Sequence, residues 1–214
     1  MIGLDQKIRQ LSDSLDHEMR EQTSHWSDEG VCKFYLGGLC PFGLFADTNA
    51  DIGRCRGIHS VVLKAKYEAS KEYGTMGYEE SLISFLNAIV RANDKRVLRA
   101  FENLPYFVID LKDPLEQISY KNILKDISEI VKATKAKGQT DWEENNNALQ
   151  ELAKLSNSIK KCTRDPVTDV CLTCGAFTVR NDPEIESSTS LGGREHDGFL
   201  VVRQKVRNMN VKSM

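Results

Sequence analysis

The sequence predicts a mainly α-helical protein with small cysteine- and histidine-rich modules at its two ends. Three observations carry that expectation. Apolar residues recur at helical spacing through most of residues 60–160. Aromatic residues make up only 7% of the chain, a thin supply for a broad β-sandwich core. The six cysteines fall in two groups, Cys32, Cys40 and Cys55 early and Cys162, Cys171 and Cys174 late, each with a histidine, His59 or His196, close downstream. The length of 214 residues allows one large or two small domains at roughly 150 residues per domain. Four segments are expected: an N-terminal helix over 1–24, a Cys/His module and its following helix over 25–75, a helical region over 76–164, and a second Cys/His module with a closing helix over 165–214.

Each element has its own reason. Leu4, Ile8, Leu11, Leu15 and Met19 recur at steps of four, three, four and four, the apolar stripe of an amphipathic helix. Such a stripe either packs on its own domain or docks on a partner. Residues 26–59 are rich in Gly, Asp and Cys with little periodicity, so something other than an apolar core must hold them. A helix begins at Ser60, with Val62, Leu63, Lys66 and Tyr67, and ends near Gly74. A second spans Tyr78 to Asn103, with Leu82, Phe85, Leu86, Ile89, Val90, Val97 and Leu98 on one face, and Asn103-Leu104-Pro105 breaks it. Tyr106 to Leu111 is a short apolar segment, loop or strand. Pro114 suits the first turn of another helix, with Leu115, Ile118, Leu124, Ile127, Ile130 and Val131 at helical spacing up to Gly138. Asp141 is placed to cap a last central helix carrying Trp142, Leu149, Leu152, Leu155 and Ile159. These central helices are long enough for a hairpin or small bundle. Pro166 marks the entry to the C-terminal module, and Phe199 to Met209 reads as one helix.

Charge narrows the function. With 29 Lys+Arg against 31 Asp+Glu the net charge is -2, which excludes a highly basic nucleic-acid sponge while leaving room for local basic patches. No apolar run approaches the roughly 18 residues of a membrane span, the longest being stretches such as Tyr106 to Ile109. Asp5, Lys7 and Arg9 interrupt any signal-peptide core, so a soluble intracellular chain is expected, without a membrane partner. In a reducing compartment, closely spaced cysteines read as metal ligands rather than disulfides.

The first module is the clearest chemistry. Cys32, Cys40, Cys55 and His59 follow the spacing C-x7-C-x14-C-x3-H. Three thiolates and one imidazole complete a tetrahedral Zn²⁺ shell and leave no open position for catalysis. Gly37, Gly38, Gly43 and Gly53 let the backbone bend around the ion. Lys33, Phe34, Tyr35, Phe42, Phe45, Arg54 and Arg56 interleave basic and aromatic side chains around it. Phe42 and Phe45 are expected to cover the metal, with Lys33, Arg54 and Arg56 exposed toward RNA.

These residues resemble a known family. The run Val31-Cys-Lys-Phe-Tyr-Leu-Gly-Gly-Leu-Cys-Pro-Phe-Gly-Leu-Phe45, followed by Asp51-Ile-Gly-Arg-Cys-Arg-Gly-Ile-His59, is similar to the first zinc finger of the Luc-seven splicing-factor family, including the fourteen-residue interval. Leu63-Lys-Ala-Lys-Tyr-Glu68 is similar to that family's next helix. Val170-Cys-Leu-Thr-Cys-Gly-Ala-Phe177 and Leu191-Gly-Gly-Arg-Glu-His-Asp-Gly-Phe199 resemble its second finger. The resemblance implies a nuclear, non-enzymatic subunit of the U-one small nuclear ribonucleoprotein. Its partners would be the U-one small nuclear RNA, the pre-messenger RNA 5′ splice site whose pairing it steadies, and the ribonucleoprotein core proteins. The Leu4, Ile8, Leu11 and Leu15 stripe would dock on that core.

The chain departs from the family in two places. The family's second finger is C-x2-C-x15-H-x5-H, and in that register Ser190 stands at the first histidine, so Cys171, Cys174 and His196 are three of four ligands. Three readings stay open. Cys162 could complete a Cys₃His site, or water or a carboxylate (Asp182 or Glu195) could fill the fourth position. Or the metal is lost and packing holds the module, which is the reading preferred here, with Cys162 a surface or helix-end thiol. One Zn²⁺ is therefore expected, and a second is open. The finger loop also carries Ile185 and Glu186 where the family has two arginines. Basic residues remain in Arg194, Arg203, Lys205, Arg207 and Lys212, of which Arg194, Arg203 and Lys205 are candidates for RNA contact. His196 is followed by Asp197-Gly198, and without an H-x-E segment a deaminase-type zinc is excluded, leaving neither a catalytic residue nor a small-molecule substrate. Two alternatives accompany the splicing reading: a protein–protein scaffold that no longer touches RNA, and a free CCCH protein acting on messenger RNA.

Overall fold

The computed structural model describes residues 25–107, 109–137, 142–182 and 193–212. The expected stripe of Leu4, Ile8, Leu11 and Leu15 lies outside them, as do Gly138, Asp141, Ser190 and the loop positions Ile185 and Glu186. The described chain is mainly helical, as expected. In order it forms α1 (Lys33–Leu36), α2 (Val61–Glu68), α3 (Tyr78–Asn103), a 3₁₀ turn (Leu104–Phe107), α4 (Pro114–Ala136), α5 (Trp142–Cys162), β1 (Val167–Val170), β2 (Phe177–Arg180) and α6 (Arg194–Lys212). Two compact units emerge. The described part of the first is 25–86 with 205–212, and the second lies within 87–204. The division falls inside α3 and α6.

The first unit has a small apolar nucleus of Trp26, Val31, Leu36, Leu63 and Tyr67, with Tyr78 against it. Ser60 caps α2 by accepting from the Leu63 amide at 3.3 Å. That cap aims Leu63 and Tyr67, one turn apart, into the nucleus. The Tyr67 hydroxyl donates to Glu79 at 3.0 Å, and burial raises its pKa to about 12.

The second unit has a larger core. Val97, Leu98, Phe101 and Leu104 meet Tyr120, Leu124, Ile127 and Val131 of α4, Leu152 and Ile159 of α5, and Val167 and Val170 of β1. Asp113 caps α4 by accepting from the Leu115 amide at 2.7 Å, with Pro114 in the first turn. Helices α4 and α5 pack on one another as the expected hairpin. Leu115 and Ile118, expected on the buried stripe, are 75% and 58% exposed. The reason is angular: at about 100° per residue they sit roughly 140° and 160° around the helix from the fully buried Tyr120. Among the described residues of the Tyr106–Leu111 segment there is no strand, and Tyr106, Phe107 and Ile109 are exposed.

The hairpin β1–β2 was not expected from sequence. Its antiparallel register pairs Val167 with Arg180 and Val170 with Phe177, so the Cys171-x-x-Cys174 turn forms its loop. Asp169 on β1 is fully buried, accepting from Ser156 Oγ at 2.6 Å and Arg180 Nε at 2.9 Å. Removing that carboxylate strands a guanidinium and a buried hydroxyl. Asp169→Ala should therefore lower stability by about 3 kcal/mol in urea unfolding, whereas Leu115→Ala, on an exposed face, should change it by less than about 0.5 kcal/mol.

Candidate metal centre

The first unit brings Cys32, Cys40, Cys55 and His59 together, their ligand atoms all within 4.8 Å of one another. All the cysteines are free thiols. Cys32 and Cys40 are buried with their sulfurs 3.6 Å apart, while Cys55 is half-buried and His59 exposed. Local backbone structure positions each one. Cys32 is the N-cap of α1, its sulfur accepting from the Tyr35 amide at 3.4 Å. The Cys55 sulfur accepts from the Gly57 amide at 3.3 Å. The Cys32 amide donates to the Ile58 carbonyl at 3.1 Å, and the Ile58 amide to the Gly30 carbonyl at 2.7 Å, which ties the two ligand-bearing segments together.

Gly57 makes that tie possible, and sequence reasoning passed it over. A Cβ there would lie 2.8 Å from the Cys32 backbone, closer than side chains approach one another. The Tyr35 ring lies nearly parallel on His59, centroids 4.6 Å apart at 7°. Phe45 is fully buried as expected, while the half-buried Phe42 stacks with Phe34 and Phe85. Burial pushes the Cys32 and Cys40 thiols up and the His59 imidazole down. The set favours a bound cation over free thiolates. Three soft sulfurs and one nitrogen converging with supporting N–H···S bonds fit a metal ion.

The second unit brings Cys171, Cys174 and His196 within 4.8 Å of one another, with Cys171 Sγ 3.4 Å from His196 Nδ1. The hairpin loop closes through Cys171 N–H to Ala176 at 2.8 Å and Gly175 N–H to Cys171 at 2.7 Å. Helix α6 starts at Arg194, five residues before the expected Phe199, so His196 sits in its first turn. Hydrogen bonding from Cys174 holds the Cys171 thiol down to about 5, while Cys174, as the proton-bearing partner, is raised. Cys162 does not join: its thiol donates to the Ile159 carbonyl at 3.2 Å, the helix-end thiol preferred from sequence. Nor do Asp182 or Glu195, the latter being paired with Arg96.

The candidate RNA-facing side chains divide. Arg54, Arg56 and Arg194 are exposed, and Lys205 is half-buried over Gly38. Lys33 and Arg203 are engaged within the protein. The Lys33 ammonium donates to the Trp26 and Asp28 carbonyls at 3.0 and 2.6 Å, and burial lowers its pKa. Arg203 donates to Asp94 at 2.6 Å and to the Thr173 carbonyl at 3.4 Å, with its side chain 14% exposed. These partners hold both side chains against the protein. The braces Asn93, Asp94 and Arg96 were missed, although Asn93-Asp94 in the middle of an apolar helix face is a legible signal.

Two outcomes test the first cluster. Gly57→Ala should weaken its metal affinity on the order of 10- to 100-fold, read by chelator competition. Metal binding at neutral pH should release at least two protons per ion, from Cys32 and Cys40, and affinity should fall steeply as pH drops. With its pKa depressed, His59 is already neutral at pH 7 and adds none. Calorimetry in buffers of differing ionisation enthalpy checks the proton count.

Comparison with known proteins agrees with this geometry. The family described as LUC7 N_terminus matches residues 6–213. Human "Luc7-like protein 3" is 25% identical over 217 residues, covering 93% of this chain and 50% of its own length. Mouse "Putative RNA-binding protein Luc7-like 1" is 24% identical, covering 94% and 59%. Drosophila melanogaster "Putative RNA-binding protein Alsin2" is 24% identical, covering 87% and 48%. The chain thus spans about half the length of the curated relatives it matches. With a match running almost from end to end and both Cys/His clusters assembled, the chain belongs to the LUC7 family.

Proposed function

We propose that the chain is a non-enzymatic, RNA-binding splicing factor that holds Zn²⁺ in the Cys32–Cys40–Cys55–His59 cluster. In this reading it works in the nucleus as a subunit of the U-one small nuclear ribonucleoprotein, supporting 5′ splice-site recognition. The observation that carries it is the exposure of Arg54 and Arg56 on either side of Cys55, in a family whose members include proteins named for RNA binding. Two guanidinium groups flanking a ligand are anchored to a loop that the ion would make rigid, so little side-chain order is lost on contacting a phosphate. Such contacts follow backbone and shape, which suits a duplex whose sequence is read by base pairing. Sulfur-rich tetrahedral ligation selects zinc among the common divalent ions, and four protein ligands make the site structural. Among the described residues no helix is long and apolar enough to cross a membrane.

A scaffold reading has its own support. Lys33 and Arg203 are committed inside the protein, which reduces the cations available to RNA. An Arg54→Glu/Arg56→Glu variant separates the two. Its affinity for a splice-site duplex should fall at least about tenfold, and the slope of log affinity against log salt should lessen by roughly 1.5. Unchanged duplex binding, or none in the parent protein while the ribonucleoprotein core is still bound, favours the scaffold. Crosslinking confined to mature messages would favour the free messenger-RNA reading.

A further inference from the structure

We infer that Arg91, Lys95 and Arg99, in a row on the exposed face of α3, form a further RNA contact, a track for the sugar–phosphate backbone of a duplex. This rests on the RNA-binding reading above and concerns residues which that reading does not use. All three are exposed and stand at steps of four residues within Tyr78–Asn103. A step of four advances about 6 Å along a helix and turns only about 40° around it. The three side chains therefore leave one face of a rigid rod, at intervals of the same order as neighbouring phosphates on a strand. Beside them Ala88 and Ala92 are exposed and end in a methyl, so a polyanion can lie close against the helix.

The row is unbalanced within the protein. Among the described residues no carboxylate pairs with Arg91, Lys95 or Arg99. The acids of the same stretch of α3 are taken, Asp94 by Arg203 and Glu102 by Lys135, each at under 3 Å. Like charges four residues apart on a helix repel one another, and a bound polyanion would relieve that repulsion. The surface also lacks what other partners need. None of the exposed large apolar side chains of the described residues lies on α3. Protein interfaces draw most of their affinity from buried aromatic and aliphatic anchors, and a membrane-surface helix needs an exposed apolar face. Single strands rely on aromatic stacking, and no ring stands in this row. Charge on a straight, rigid rod suits a duplex backbone, where counterion release supplies affinity and shape guides the fit.

A triple variant of the full chain, Arg91→Gln/Lys95→Gln/Arg99→Gln, tests this against a splice-site duplex. Affinity should fall at least about tenfold, and the slope of log affinity against log salt should lessen by roughly 2 to 3. The loss should be the same for a duplex of scrambled sequence and smaller for the single strand. The melting temperature of the free variant should hold or rise, because repulsion along α3 is removed. The charge-keeping Arg91→Lys/Arg99→Lys variant should retain most of the affinity. Unchanged affinity and slope in the triple variant, while Arg54→Glu/Arg56→Glu weakens binding, would overturn the track and leave the RNA reading standing. No duplex binding by the parent protein would overturn both. An equal loss on the single strand would overturn the duplex assignment. Unchanged duplex affinity in a triple variant that no longer binds poly-glutamate would assign the row to an acidic protein surface instead.

Discussion

The convergence of three thiols and one imidazole inside 4.8 Å is the constraint on which the first unit depends. Among its described residues, the apolar nucleus around Trp26 and Tyr67 does not itself include the cysteine-bearing loop from Gly38 to Gly57. What fixes the path is the ladder between Gly30, Cys32 and Ile58, the cap of α1 by Cys32, and the N–H···S bonds to Cys32 and Cys55. Each of these acts on a ligand or its neighbour. Backbone geometry and ligand geometry are thus one specification, in which a change to either disturbs both.

The second unit inverts that relation. A contiguous core joins α3, α4, α5 and β1, and a buried carboxylate at Asp169 ties the hairpin to α5 through Ser156. The Thr173 carbonyl oxygen fastens the Cys-x-x-Cys turn to both α3 and α6. Here the protein supplies the geometry and a metal would be a guest. The two clusters share a ligand chemistry yet differ in what holds them.

Much of this was legible in the sequence, for definite reasons. The helix Tyr78–Asn103 and the start at Pro114 follow from periodicity, capping and proline chemistry that act locally. The ligand spacing of the first cluster is equally local, and the family resemblance sharpened it. The hairpin was missed because strands of four residues, Val167–Val170 and Phe177–Arg180, are too short to show alternation. The exposure of Leu115 and Ile118 was missed because apolarity does not say which face a helix turns inward. The pairing of Arg203 with Asp94 was not legible because a cation's partner far away in sequence is set only by the fold. Gly57 gave no signal, since its neighbour at 2.8 Å comes from 25 positions earlier in the chain.

The parallel stack of Tyr35 on His59 has a consequence in time rather than in affinity. His59 is the exposed member of its cluster, and so the one by which a bound ion would begin to leave. An imidazole covered on one face by a ring 4.6 Å away cannot swing out without first breaking that stack, and Lys64 lies over the same tyrosine. The aromatic cover therefore acts as a latch on the outermost ligand. It lengthens the dwell of the ion without touching the ion itself, and makes residence time a property of a side chain outside the coordination sphere.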